Sequence, residues 1–146
     1  MFAPHRRMAG FRDFREIVAW QLANQLKNQV DAFVQRPEFK RRFKFCEQLD
    51  DAGRSGLRNI AEGFARFKHK EFAQFVRVAK GSEAEVLNHF IDALDQRLLT
   101  KDEFLMSEHL CKRALKAANG LIRYLESTPD PPTPRWKPKP KPGEVP

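Results

Sequence analysis

The sequence predicts an all-α protein, an antiparallel up-down-up-down four-helix bundle over residues 1–126 followed by a disordered tail rich in proline and lysine over residues 127–146. Three observations lead to this fold class. Apolar residues recur every three or four positions along most of the chain, as on one face of a helix. No long stretch alternates apolar and polar residues as a strand does. Eight of the ten prolines fall in the last twenty residues, where they block helix formation.

Four helices are expected, each with an apolar stripe and a polar remainder. They span residues 14–36, 38–67 and 70–99, with a fourth from Thr100 to about Leu125. The first ends before Pro37, because the residue that precedes a proline is disfavoured in the helical region. The fourth begins with a capping box, in which the side chains of Thr100 and Glu103 each bond to the other's backbone N–H. Short connections between long helices place neighbours antiparallel.

Glycines are concentrated on the apolar side of the second helix. At 100° per residue, Gly53, Gly56 and Gly63 share a face with the apolar residues. A glycine inside a helix costs about 0.5–1 kcal/mol relative to alanine, so several on one face indicate the close approach of a neighbouring helix. We therefore expect these three glycines in the packed seam of the bundle.

Polar residues border this seam on the second and third helices. The flank of the second helix consists of Ser55, Asn59, Glu62 and Arg66, and that of the third of Glu71, Ser82, Glu85 and His89. A turn near residues 67–69 would bring the two flanks within reach of each other or of another subunit. Glu83 instead falls on the apolar face of the third helix. We expect it to pair with Arg54 or Arg58, because an unpaired buried charge is costly.

Two interpretations of Glu62 and Glu85 stay open. These residues can form salt bridges or caps at a helix or subunit contact, or they can act as a carboxylate pair for catalysis or metal binding. Di-iron bundles carry Glu-x-x-His on two helices. This chain offers only Glu85 and His89, four positions apart, so the structural interpretation is favoured.

The sequence carries no recognisable catalytic motif, and we predict no enzyme activity, metal or cofactor. It has no phosphate-binding glycine loop, no HExxH and no CxxC, and its four histidines lie in separate segments. Cys46 and Cys111 occupy apolar positions and are expected to be buried free thiols. No apolar run approaches the ~20 residues that cross a bilayer, and residues 1–7 lack the apolar region of a signal peptide. A cytoplasmic protein without a membrane partner is expected.

The formal net charge of +8 favours polyanionic partners such as RNA or DNA. Most of the basic residues around the two interhelical turns fall into two groups. The first basic cluster, around the first loop, comprises Arg36, Lys40, Arg41, Arg42 and Lys44. The second basic cluster, around and after the second turn, comprises Arg66, Lys68, Lys70, Arg77 and Lys80. Both clusters are candidates for nucleic-acid binding, and the alternative is that they are solvated helix ends.

The stretch Asn59-Ile60-Ala61-Glu62-Gly63-Phe64, followed by Glu71-Phe72, Ala79, Gly81-Ser82 and Glu85, resembles the family of 23S rRNA intervening-sequence proteins, which is also described as a ribosomal protein family. Residues 14–20, which end in Trp20, look like the opening helix of that family. The resemblance covers about residues 11–125.

This resemblance implies an antiparallel four-helix bundle that assembles into a ring-like homopentamer. It also implies a relation to the accessory protein of diversity-generating retroelements, which works with RNA and a reverse transcriptase. The residues expected to serve packing or subunit contacts are Trp20, Gly53, Gly56, Asn59, Glu62, Gly63, Arg66, Glu71, Gly81, Ser82 and Glu85.

Two functions are expected as alternatives. The first is a non-enzymatic, homo-oligomeric accessory protein that binds RNA or DNA. The second is a scaffold or adaptor that docks a protein partner through the oligomer surface or the Pro-rich tail, with no nucleic-acid role. Self-association is expected in both cases, because Trp20, Phe45 and Phe67 are spread around several faces. In the tail, Trp136 either belongs to a solvated segment or acts as a stacking or docking group on a basic arm.

Overall fold

The computed structural model describes residues 8–132, and this part of the chain contains helices and no strand. A 3-10 turn at Phe14–Glu16 precedes five α-helices: α1 Val18–Val34, α2 Pro37–Lys40, α3 Phe43–Ala65, α4 His69–Asp95 and α5 Lys101–Ser127. Four of these helices are long. Helix α1 packs against α3 and α5, and α4 packs against the same two helices. The predicted all-α class is confirmed.

The contacts between α3 and α4 follow opposite orders along the two helices. A Cβ atom built on Gly63 would lie 2.7 Å from Phe72 Cδ1, the hydroxyl oxygens of Ser55 and Ser82 lie 2.8 Å apart, and the rings of Phe45 and His89 are 5.4 Å apart. None of the helices in residues 8–132 contains an apolar stretch long enough to cross a membrane.

Two breaks divide helices that the sequence predicts as continuous. Residue Ile17, at φ −79° and ψ 123°, separates the 3-10 turn from α1, where one helix from residue 14 was expected. Arg42, at φ −106° and ψ 68°, separates α2 from α3, where one helix from residue 38 was expected. The apolar stripe continues past both breaks. Ile17 is buried although its backbone is not helical, and Phe39, in the short helix α2, is also buried.

The last connection is also longer than the sequence predicts. Helix α4 ends at Asp95 and not at residue 99. Arg97 then adopts a positive φ of 60°, which turns Leu98 and Leu99 into the core. The capping box at the start of α5 is confirmed, since Glu103 N donates to Thr100 Oγ1 at 3.1 Å and Thr100 N donates to Glu103 Oε1 at 3.0 Å.

The glycines of α3 lie in the packed seam, as expected. A Cβ atom at Gly53 would lie 3.4 Å from Val30 Cγ2 on α1. At Gly63 it would lie 2.7 Å from both Phe72 Cδ1 and Phe75 Cβ on α4, closer than real Cβ atoms approach other groups. The absence of a side chain at Gly63 therefore sets the distance between α3 and α4.

The core consists of two hydrophobic clusters, one toward each end of the bundle. On α4, the first cluster ends at Ala79 and the second begins at Val86. Glu83 lies between them and is only 1% exposed. The methylene groups of Glu83 occupy space left by Gly56, where an added Cβ would lie 3.5 Å from Glu83 Cγ.

The prediction that Glu83 forms an ion pair with Arg54 or Arg58 is wrong. Arg54 bonds to Asp31 Oδ1 at 2.8 Å and to Asp50 Oδ1 at 3.2 Å, and Arg58 is exposed. Neither carboxylate oxygen of Glu83 has a hydrogen-bond partner within residues 8–132. Burial raises the pKa of Glu83 to about 8, so the carboxyl carries a proton at neutral pH and avoids the cost of a buried charge.

Both cysteines in the described part of the chain are free thiols. Cys111 is buried in the second hydrophobic cluster, whereas Cys46 is half-buried and donates its S–H to Phe39 O at 2.8 Å. Burial raises the pKa of Cys111 to about 12, with smaller contributions from the negative potentials of Glu83 and Glu108. At neutral pH the Cys111 thiol is therefore protonated and unreactive.

Replacement of Gly63 by alanine is expected to destabilise the protein by about 1–2 kcal/mol. The added methyl group forces α3 and α4 apart, which costs more than the ~0.5–1 kcal/mol that alanine gains in helix propensity. The matched control is Gly120→Ala on α5, where an added Cβ meets no atom within 4 Å and a small stabilisation is expected. Urea unfolding measures both values, and equal effects of the two variants would contradict the prediction.

The stability of the protein is expected to decrease between pH 4.5 and pH 8 because of Glu83. In the unfolded chain this carboxyl ionises near its ordinary pKa of 4.5, whereas in the folded protein it stays protonated until about pH 8. The contribution of Glu83 to the free energy of unfolding is therefore fully present below pH 4.5, and up to about 5 kcal/mol of it is lost as the pH rises to 8. Glu83→Met should flatten this slope, whereas Glu85→Gln on the exposed side of α4 should keep it. Denaturant unfolding at several pH values provides the measurement.

Candidate nucleic-acid and subunit interfaces

The first basic cluster surrounds the short helix α2. Phe39 is fully buried and stacks on Phe33 with ring centroids 5.9 Å apart, so it anchors this turn to the core. With Phe39 facing inward, the remaining residues of the turn face outward. The exposed cations are Lys40, Arg41, Arg42 and Lys44. None of these four makes an ion pair with a residue in the described part of the chain.

Arg36 differs from the other members of the first basic cluster, because it is half-buried and paired. Its guanidinium donates to Glu103 at the start of α5 and lies 4.9 Å from the centre of the Phe33 ring. The hydrogen bond from Arg36 is the main reason why the pKa of Glu103 is lowered to about 2, with a further contribution from the Thr100 N–H. Arg36 therefore fastens the end of α1 to α5 and contributes less free charge to the surface.

The second basic cluster follows the turn from α3 to α4, where Phe67 adopts a positive φ of 65°. Lys68, Lys70 and Lys80 are exposed without an ion pair among residues 8–132. The other two members are engaged. Arg77 pairs with Glu126 on α5, and the guanidinium of Arg66 lies 4.9 Å from the centre of the Phe75 ring.

The two basic clusters lie apart from each other. The first precedes and enters α3, and the second follows its last residue, Ala65. The 23 residues of α3 give the helix a length of about 34 Å. A single protomer therefore presents two separate basic regions in place of one compact basic face.

The two predicted polar flanks meet between α3 and α4. The Ser82 hydroxyl lies 2.8 Å from the Ser55 hydroxyl, and Asn59 Nδ2 donates to Ser55 O at 2.8 Å. These bonds give the hydroxyl groups of Ser55 and Ser82 and the side-chain amide of Asn59 hydrogen-bond partners. The expectation that the flanks come within reach of each other is correct for these three residues.

The carboxylates of this region do not converge on a common point. Glu62 and Glu71 are exposed and make no ion pair with a described residue. Glu85 Oε1 lies 3.6 Å from His89 Nε2 within one turn of α4. Residues 8–132 contain no group of three or more His, Cys, Asp or Glu side chains that could hold a metal ion.

Gly81 differs from the glycines of α3, because it is exposed and an added Cβ would meet no atom within 4 Å. Val78, one turn earlier, is 54% exposed. A glycine in the middle of a 27-residue helix destabilises that helix relative to alanine, and no close packing at Gly81 by the described residues offsets this cost. We name the outward surface formed by Asn59, Glu62, Glu71, Val78, Gly81 and Glu85 the α3–α4 face.

Trp20 has a structural role within the protomer. Its ring lies 5.4 Å from that of Phe14, and Phe14 in turn contacts Phe64 near the end of α3 at 6.3 Å. These rings pack against the first hydrophobic cluster. Trp20 thus holds the 3-10 turn against the bundle.

The contact between the start of α4 and the segment after α5 is not predicted by the sequence. His69 N, at the start of α4, donates to Asp130 Oδ1 at 2.8 Å, and His69 Nδ1 lies 2.8 Å from Thr128 O. The first residues of the predicted tail therefore pack against the bundle and cap α4. No local pattern connects residues 61 positions apart. The run from Arg135 to Pro142, including Trp136, lies outside the described residues.

The comparisons with known proteins give one family. The family model described as 23S rRNA-intervening sequence protein matches residues 15–120, from the 3-10 turn to near the end of α5. A comparison with curated proteins returned no match. The family match covers well over half of the chain and agrees with its helical structure. The chain therefore belongs to the 23S rRNA-intervening sequence protein family.

Proposed function

We propose that the protein is a non-enzymatic, homo-oligomeric accessory protein that binds RNA in the cytoplasm. The observation that carries the proposal is the set of four exposed cations around α2, Lys40, Arg41, Arg42 and Lys44, which make no ion pair among residues 8–132. Cations without an intramolecular partner can neutralise phosphates and release the counterions that surround a nucleic acid. The formal net charge of +8 adds long-range attraction.

The proposal includes an antiparallel up-down-up-down arrangement of the four long helices. The opposite order of contacts along α3 and α4 supports it, and so does the pairing of Arg36 at the end of α1 with Glu103 at the start of α5. In this arrangement the first basic cluster lies at one end of the bundle, and the second extends from the other end toward mid-length, where Lys80 lies two residues from Ser82.

We further propose that several copies form a ring, with the α3–α4 face as one subunit contact. The open space at Gly81 and the exposed Val78 favour the close approach of another helix. A ring repeats each basic cluster around its circumference, so many weak phosphate contacts act together. The number of five subunits and the relation to the retroelement accessory protein come from the family resemblance alone.

A protein scaffold is the second candidate function. Leu105 and Met106 on α5 are 48% and 72% exposed, and adjacent exposed apolar residues are typical of protein contacts. A pull-down that survives nuclease treatment would favour this function over RNA binding.

The double variant Arg41→Gln/Arg42→Gln is expected to weaken RNA binding and to reduce the salt dependence of the binding constant. Each lost phosphate contact lowers the slope of log K against log salt by roughly one unit. The control Lys112→Gln/Arg113→Gln makes the same charge change on the exposed side of α5. Filter binding over a salt series is the measurement. Equal losses in both double variants, or no binding at low salt, would contradict RNA binding through the first basic cluster.

Gly81→Arg is expected to reduce the mass of the assembly, because a long charged side chain would fill the space that the contact requires. Ala32→Arg places the same side chain at an exposed position of α1 and should leave the mass unchanged. Gel filtration coupled to light scattering measures the mass against 17.0 kDa for one chain. A monomeric parent protein at micromolar concentration would refute self-association.

A further inference from the structure

The first basic cluster surrounds an aromatic residue, Phe43, that belongs to neither hydrophobic cluster of residues 8–132. Phe43, the first residue of α3, is 74% exposed. Its neighbours in the chain, Arg42 and Lys44, are exposed cations without an ion pair among residues 8–132. The other two aromatic residues of this segment, Phe39 and Phe45, contact each other with ring centroids 6.3 Å apart.

Phe43 therefore costs solvation free energy without contributing to the core. An exposed phenylalanine forfeits the favourable free energy that burial of its ring would contribute. The position of the ring on the chain is also distinctive. Lys40 and Arg41 lie within three residues of Phe43, at most about 11 Å along the chain, and the positive end of the α3 dipole is at the same point.

We propose that Phe43 is a stacking platform for a base of single-stranded RNA, with the flanking cations bound to the phosphates on either side. Aromatic side chains interleaved with cations are how proteins hold single strands, because every base offers a flat face while the backbone offers charge. A duplex keeps its bases stacked inside the helix, so the ring gains no partner there. The inference rests on the proposed RNA binding and specifies its ligand as an unpaired segment.

A protein partner fits this surface less well. Exposed apolar residues elsewhere on the described surface, such as Met106 at 72% exposure, are not flanked by two unpaired cations. Burial of this surface against an uncharged protein would require desolvation of the four cations near the ring. Charged groups are depleted from the centres of protein interfaces for this reason.

The test compares Phe43→Ala with the parent protein, in the full chain, on a single-stranded RNA of roughly 15 nucleotides and on the same sequence as a duplex. Loss of one stacked base is expected to weaken single-strand binding by about tenfold, since stacking contributes about 1–3 kcal/mol per base. Duplex binding and the salt slope should not change, because no charge is removed. Phe43→Trp should retain affinity for the single strand.

Met106→Ala is the matched control, because it removes an equally exposed apolar side chain without flanking cations. Fluorescence anisotropy gives the affinities, and circular dichroism checks the fold. An equal loss on single strand and duplex, or the same loss in Met106→Ala, would overturn the stacking role. No loss in Phe43→Ala while Arg41→Gln/Arg42→Gln binds weakly would overturn it and leave the proposed function intact. No loss in either variant would overturn both the stacking role and RNA binding through the first basic cluster.

Discussion

The close approach of α3 and α4 is the constraint on which the rest of the structure depends. Gly63 has no side chain to separate it from Phe72 and Phe75, atoms of which lie 2.7 Å from the position that its Cβ would occupy. The same approach brings Ser55 and Ser82 into hydrogen-bond contact at mid-length. The distance between the two basic clusters depends instead on the 23-residue length of α3, because the first cluster precedes this helix and the second begins after it. Packing at Gly63 keeps α3 and α4 in contact along that length.

Periodicity and glycine placement in the sequence were sufficient to predict much of this fold. The helical class, the capping box at Thr100 and the burial of Gly53, Gly56 and Gly63 all follow from local rules that the tertiary structure obeys. The breaks at Ile17 and Arg42 could not be predicted in this way. Apolar periodicity reports which side chains are buried, and a buried side chain is compatible with either helix or turn.

The functional surfaces were less accessible to sequence reasoning, because a list of cations does not reveal their partners. Arg36 and Arg77 pair with carboxylates on α5 and Arg66 lies over an aromatic ring. The exposed cations around α2 make no ion pair with any residue from 8 to 132. The case of Glu83 shows the reverse error. A basic partner was expected for Glu83, yet Arg54 already binds Asp31 and Asp50. A raised pKa keeps the Glu83 carboxyl protonated and neutral, so it needs no cationic partner.

The bond between His69 N and Asp130 has a consequence for the symmetry of the molecule. It holds the carboxylate of Asp130 against the first turn of α4, next in the chain to Lys68 and Lys70. The two ends of α3 therefore have different chemical surroundings. Its first residue, Phe43, is an exposed ring among cations, whereas the turn that follows α3 is covered by a segment that returns from the end of α5 and brings an acidic side chain with it.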